Sequence, residues 1–566
     1  MLECRAKLPC PTSEPYMLRL NEIKMALNHN EDDLINAIVD KLAINRDDLL
    51  SFTIFKRSHD ARKKTNILLI YQLDVVLKDS VEESVLEQFS QQAFVKVSPD
   101  TSYHFVAQAE ESFPNKEQQR PIIIGFGPCG ILAALVLAQM GLKPIVLDRG
   151  QDVKQRTKDT WELWQKGKLN TESNVQFGEG GAGTFSDGKL YSQVKDKRFL
   201  SRKVLAEFVK AGAPDEILVD SKPHIGTFKL VSMVEKMREE IIALGGEIHF
   251  GQKVETIHRE QNPDDSGQIT GLTLSNGETM HSRHIILAIG HSARDTFEML
   301  LEYGVYIESK PFSIGFRIEH PQSVIDKARF GENAGNPILG AADYHLVHHC
   351  KGKNGRSVYS FCMCPGGTVV AATSEEGSVV TNGMSQYSRN ERNANAAIVV
   401  GIDPEQDYPE HVLSGIDLQR DLEKLAYKLG GGDYKAPAQL VGDFLQDKPS
   451  TELGDVAPSY KPGVNLGDLS KALPDFAIKA IREAIPAFNR KIDGYAMNDA
   501  VLTGVETRTS SPICIRRDKS FQSINTYGLY PAGEGAGYAG GILSAAIDGI
   551  KVAEAVAKSI LVDTES

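Results

Sequence analysis

Several things are scarce in this sequence, and each scarcity excludes a class of protein. No apolar run reaches the 18 or more residues of a membrane-spanning helix. Cysteine is sparse and scattered, seven in 566 residues, which is no disulfide framework and points to a reducing, cytoplasmic setting. Positive charge is in deficit, with 63 Lys and Arg against 75 Asp and Glu and a net charge of −12. Broad binding to nucleic acid or to an anionic membrane is therefore disfavoured. Residues 1–16 lack the apolar core of a secretory signal and any periodic pattern, so they are expected to be a disordered extension, with patterned sequence starting at Met17. No metal centre is expected.

What is present describes a globular chain with several domains: 41% hydrophobic and 24% charged residues. Residues 17–106 are expected to form a small α/β (α+β) module. Leu34, Ile35, Ile38, Val39 and Leu42 make a helical stripe behind acidic Glu31 to Asp33, and Ser51–Phe55 and Asn66–Leu77 read as strands. Between them lies a basic loop with Lys56, Arg57, Arg62, Lys63 and Lys64, either an anion or RNA contact or a solvated hairpin. Residues 107–120 are polar, broken by Pro114, and read as a linker.

The stretch around which the chain is organised is PIIIGFGPCGILAALVLAQMGLKPIVLDRG, residues 121–150. A buried apolar strand runs into Gly125, Gly127 and Gly130, spaced G-x-G-x-x-G. Pro128 and Cys129 lie within this turn and are counted with the site; a helix-like segment, Ile131 to Met140, follows, then a second strand ending in Asp148, with Arg149 after it. Strand, turn, helix, strand and acid in this order make a dinucleotide site: the helix N-terminus takes the pyrophosphate and Asp148 a ribose hydroxyl. A second glycine-rich segment, 176–190, contains Gly180, Gly181, Ala182, Gly183 and Thr184 and suits a backbone laid directly on a ligand. Residues 282–290 form an apolar strand ending in Ala288 to Gly290, and 528–557 hold a strand, the Gly533–Glu534 turn, then Gly540, Gly541 and Ile542 opening an Ala-rich helix. Domain bounds follow: a nucleotide-binding domain in two parts, 121–300 and 495–560, with a mixed-sheet substrate domain, 301–494, inserted between them. Within the insert, 358–363 and 368–373 read as strands.

Together these motifs resemble the bacterial family of uncharacterised FAD-dependent dehydrogenases, within the glutathione-reductase-like FAD superfamily. The resemblance covers 121–557. It implies a Rossmann-type fold with resident FAD, the ribose and pyrophosphate held by Gly125, Gly127, Gly130 and Asp148. It equates residues 285–290 with a nucleotide-side strand usually ending Ala-Thr-Gly, and Gly533–Glu534 with a late Gly-Asp pair. Ile289 and Glu534 depart from that pattern, the second keeping a carboxylate. The late motif favours FAD over NAD. No second strand, G-x-G-x-x-G turn, helix and strand in succession, as a nicotinamide domain would carry, follows Gly150, and no C-x-x-x-x-C disulfide is present. The implied function is an FAD-dependent oxidoreductase moving a hydride between flavin N5 and a small substrate, with an electron donor or acceptor that the sequence does not name. Arg317, Glu319, His320 and His291 are the candidate groups over the flavin, the Arg as a carboxylate clamp and a His as proton carrier. Cys362 and Cys364, at i and i+2 of a strand ended by Pro365 to Gly367, are a candidate thiol pair facing one pocket. The alternatives are a flavoprotein acting on RNA and a redox sensor or assembly factor without turnover.

Overall fold

A computed structural model describes residues 17–115, 119–263, 266–351 and 355–562. The expected extension 1–16 lies outside the described residues. The chain divides into two compact units, Met1–Ser102 with Leu218–Pro223, and Tyr103–Ile217 with His224–Ser566. No helix among the described residues is long and apolar enough to cross a membrane.

In the first unit, strand Leu18–Ala26 is followed by helix Glu31–Leu42, strands Leu49–Asp60 and Leu68–Leu77, helix Asp79–Gln88 and the short strand Val95–Val97. The sheet is antiparallel throughout, with Leu68–Leu77 and Leu18–Ala26 in the middle, the split β-α-β pattern of ferredoxin-like modules. The first helix starts at a capping box. Asn30 accepts the Asp33 N–H at 2.9 Å, and the Asp33 carboxylate accepts the Asn30 N–H at 3.0 Å. Leu34 and Ile38 on its inner stripe meet Leu20, Leu73 and Val75 of the sheet. The basic stretch is only partly a loop. Lys56 and Arg57 belong to strand Leu49–Asp60, which keeps its pairing with Leu68–Leu77 as far as Asp60. Arg57 ion-pairs with Asp220 at 2.8 Å and Arg62 with Asp60 at 2.5 Å, so both of these arginines are already paired.

The second unit is built on a parallel five-stranded sheet. Ile122–Ile124 is central, Ile145–Asp148 and Glu247–Phe250 lie to one side, and Ile285–Leu287 and Leu529–Pro531 to the other. The order reverses between Ile122–Ile124 and Ile285–Leu287, and open parallel sheets bind ligands at such switch points, beyond the carboxyl ends of their strands. Helix Pro128–Gln139 opens with Pro at its first turn, and its residues Cys129 to Ala138 are all buried. It is apolar all round because the sheet lies on one side and helices Ile542–Val562 and Thr227–Ala243 on others. A smaller sheet crosses over, with Val254–Gln261, Gly267–Leu274 and Thr279–His281 antiparallel and Thr526–Tyr527 added in parallel.

An eight-stranded mixed sheet fills most of the region from Phe312 to Glu506. Its centre is Phe312–Pro321, flanked by Asn393–Ile402 and Val501–Glu506. Ser357–Ala371 is one continuous strand, where two had been expected with a break at Pro365 to Gly367. The apparent break is a bulge: the register slips between Phe361 and Cys364 and again before Gly367, after which pairing resumes with Thr381–Ser385. Residues 107–115 are not a free linker. The Ala109 N–H donates to the Met140 carbonyl at 2.8 Å, and Phe113 is 2% exposed, because an aromatic side chain in the segment finds apolar cover on the second unit.

Candidate functional site

The strand ends bring the sequence motifs to one place. A Cβ on Gly130 would lie 2.0 Å from the Gly125 carbonyl oxygen, so only glycine lets the helix start that close to the turn. Gly127 is the N-cap of helix Pro128–Gln139 and no side chain caps it, which leaves N–H groups of the first turn facing outward with the positive end of the helix dipole. Ala288 N–H donates to the Ile124 carbonyl at 2.8 Å, which sets the end of strand Ile285–Leu287 against Gly125. Gly533 packs on Cys129, and Gly535 on Gly290. Gly290, Gly540 and Gly541 face open space, with nothing within 4 Å of a Cβ position. Pro128, Gly180, Gly183, Thr184 and Ile542 line one small apolar cavity.

The second glycine segment lies on the first. Gly180 N–H donates to the Phe126 carbonyl at 2.8 Å. Gly181, at φ +58°, would place a Cβ 2.8 Å from the Gly127 Cα. Its glycines are thus required against protein, and the ligand role expected of the segment rests on where it lies. Ala182 opens the short turn Ala182–Phe185, and the Thr184 hydroxyl donates to the Glu179 carbonyl at 3.5 Å.

Arg156, unremarked in the sequence, holds this segment. It is fully buried, and its guanidinium donates to the carbonyls of Asn174, Val175, Glu179 and Gly181 at 2.6–2.9 Å. No carboxylate among the described residues bonds it, and burial lowers it to about 10. A signal was available: Val153, Arg156, Thr160, Leu163 and Trp164 are the buried stripe of helix Val153–Lys166, and an Arg among apolar stripe positions is anomalous. Glu179 beside it takes the Val153 N–H and Arg238, each at 2.8 Å, and burial raises its carboxyl to about 7.

Asp148 is 6% exposed and accepts the Phe126 and Gly150 N–H groups, each at 2.8 Å. One oxygen takes each bond, so each retains an accepting lone pair. Arg149 points elsewhere, into ion pairs with Glu172 at 2.6 Å and Asp295 at 2.8 Å. Glu534 and His291 stand together, 4.0 Å apart. Burial raises Glu534 to about 7. Burial, then the charges of Arg508 and Arg294, pushes His291 down to about 3, so the imidazole is neutral at physiological pH. Those arginines belong to a buried network also missed in the sequence, in which Glu423 is bonded by Arg294 at 2.6 Å and by Arg508 at 2.7 Å.

The remaining candidates do not share one role. Arg317 is fully buried with all five donors taken: Glu506 twice at 2.8 and 2.9 Å, the Cys362 carbonyl at 2.8 Å, and Asn382 and Asn395 at 3.1 Å. It has no N–H left for a substrate carboxylate, which corrects the clamp expected of it. Glu319 is equally enclosed, accepting from Asn393 and Ser459. His320 lies on the opposite sheet face from both, since alternate strand residues alternate sides. It bonds the Tyr495 carbonyl at 2.7 Å among Tyr495 and its aromatic neighbours, and burial lowers it to about 4. It therefore does not join the group it was expected to join. Cys362 and Cys364 do lie together, but through the bulge rather than through regular alternation, since Cys362 has φ +44°. Lys189, at the end of the second glycine segment, donates to the Met363 carbonyl and lies 4.0 Å from Cys364 Sγ. Elsewhere, His348, Cys350 and Glu483 bring possible metal-ligand atoms within 4.8 Å of one another, but His348 and Glu483 already bond each other at 2.9 Å.

The chain is similar to several known proteins. Residues 311–509 match the family described as FAD-dependent protein, C-terminal domain-like, and residues 17–76 match a domain of unknown function. An uncharacterised protein of Clostridium beijerinckii is 48% identical over 539 residues, covering 95% of this chain and 98% of that one. Among solved structures, CtdE in complex with FAD aligns over 79% of this chain and 89% of its own at 12% identity and a TM-score of 0.29. A geranylgeranyl bacteriochlorophyll reductase-like protein of Thermoplasma acidophilum covers 79% and 80% at 10% identity and a TM-score of 0.34. The cofactor is FAD. The outward N–H groups at Gly127, the open glycines and the paired glycine segments suit its pyrophosphate and flat ring.

Proposed function

This chain belongs to the family of that Clostridium protein, and we propose that it is a cytoplasmic FAD-dependent oxidoreductase of glutathione-reductase-like ancestry, transferring a hydride between flavin and a small substrate. The observation that carries the reading is convergence. Four separated segments, at Gly125–Gly130, Gly180–Thr184, Ala288–Gly290 and Gly533–Ile542, meet at the switch point of the parallel sheet.

FAD supplies a ring that accepts or returns an electron pair and a proton. The chain's own groups do the rest. The free N–H groups after Gly127 take the pyrophosphate, and Asp148 offers its spare lone pairs to a ribose hydroxyl. Arg156 fixes the carbonyls behind the glycine segment, so that its backbone meets the cofactor already ordered. The N-terminal dipole at Gly541 favours negative charge in front of helix Ile542–Val562. His291, being neutral, can donate or accept one hydrogen bond without adding charge, and Glu534 beside it titrates near neutrality and can hold or release a proton. The substrate is a small molecule bound over the mixed sheet, with a separate electron donor or acceptor.

The test is direct. Purified protein should be yellow, with about one non-covalent FAD per chain, and anaerobic screening of metabolites should find one that bleaches it. Folded, colourless protein that cannot be reconstituted with FAD would end this reading.

A further inference from the structure

We propose that Cys362 and Cys364 are a dithiol–disulfide couple that exchanges an electron pair with the bound FAD. The inference rests on the FAD oxidoreductase reading and adds a second redox centre to the same site. A Cys-x-Cys pair in a regular strand is held apart by the extended backbone. Here the register slips at this pair, and Cys362 adopts the left-handed conformation at φ +44°, an arrangement costly for a non-glycine residue and kept only where its surroundings enforce it. They do so through three contacts. Arg317 donates to the Cys362 carbonyl at 2.8 Å, Cys364 Sγ donates to the same carbonyl at 3.3 Å, and Lys189 donates to the Met363 carbonyl between them. Cys364 is fully buried while Cys362 is half-buried, so Cys364 is the internal partner of the pair.

The surroundings also separate the two thiols chemically. Hydrogen bonding from Cys364, then the charges of Lys189 and Arg317, holds Cys362 well below the usual thiol range, and the same bond with burial pushes Cys364 well above it. A thiolate beside a protonated thiol is the arrangement of redox-active pairs. The link to the cofactor is Lys189, which ends the glycine segment whose Gly181 presses on Gly127. Oxidation forms the Cys362–Cys364 S–S bond and breaks the Cys364 S–H bond; the electron pair and that proton go to FAD, giving the reduced anionic flavin. The reverse step restores thiolate and thiol.

The experiment is anaerobic titration of the fully oxidised holoprotein with dithionite, with alkylation and peptide mass measured before and after. The expected result is uptake of four electrons per FAD, with the peptide carrying Cys362 and Cys364 two hydrogens lighter and resistant to iodoacetamide before reduction. Cys364→Ala should remain yellow and take up two. Wild type that takes up two electrons per FAD, with both cysteines alkylated in the oxidised yellow protein, overturns the couple and leaves the FAD reading intact. Colourless protein overturns both. The wild-type electron count decides the matter even where a variant does not fold.

Discussion

Glu534 carries a charge its surroundings resist, and the consequence is a pH dependence with a definite sign. Its carboxyl is raised by burial from 4.5 to about 7. Between those values the folded protein holds a proton that the unfolded chain has released, so this contribution to stability is complete below the lower value and lost as pH rises through the upper one. Glu179, also raised to about 7 by burial, acts in the same window. Thermal midpoints of the cofactor-free protein should therefore fall between about pH 5 and 7, and Glu534→Gln should remove roughly half of that fall. Parallel curves for the two proteins would show that Glu534 titrates normally. Arg317 makes the opposite kind of residue, one whose ionisation is compensated by its partners. Arg317→Ala leaves Glu506 buried without its cation and should cost about 3–5 kcal/mol in urea unfolding. Removing both charges with Arg317→Met/Glu506→Gln should recover much of the loss. If the single change is mild, the pair is better solvated than its burial indicates.

At the scale of elements, the site depends on one segment being held by one side chain. Arg156→Lys keeps the charge but cannot reach four carbonyls with a single ammonium. FAD should dissociate at least about tenfold more readily, measured by fluorescence on dilution. Unchanged retention would mean that the glycine segment orders itself without Arg156. Gly181→Ala meets both the +58° φ and the 2.8 Å approach to Gly127 and should release FAD as well. The parallel strands and their glycine turns were legible because apolar runs, turn and helix follow one another without interruption in the chain. The catalytic side was less so. Arg317 and His320 are three residues apart and look like neighbours, yet strand alternation sends them to opposite faces of the sheet. The Pro365 to Gly367 stretch reads as a stop but is spanned by a bulge, since pairing partners on Asn393–Ile402 and Thr381–Ser385 lie far away in sequence. Arg156 was missed because its helix is polar overall, although Val153, Leu163 and Trp164 mark the apolar stripe on which it lies.

For the whole molecule, the sequence has one unit in which a strand, a G-x-G-x-x-G turn, a helix and a second strand follow directly, at residues 121–150, and the proposed function gives it to FAD. NADPH and NADH should accordingly reduce the flavin slowly; rapid, saturable reduction with the nicotinamide nucleotide retained would reveal a second dinucleotide site. The first unit has a property of another kind. Its members come from two places in the chain, and they meet where Arg57 exchanges backbone hydrogen bonds with Val219 at 2.6 Å and Ser221 at 2.8 Å. A module appended simply at one end of an enzyme can be clipped off by one cut. This one cannot: after cleavage at a protease site inserted behind Ser102, the severed piece still grips Leu218–Pro223, and the two fragments should travel together through native chromatography and part only in denaturant.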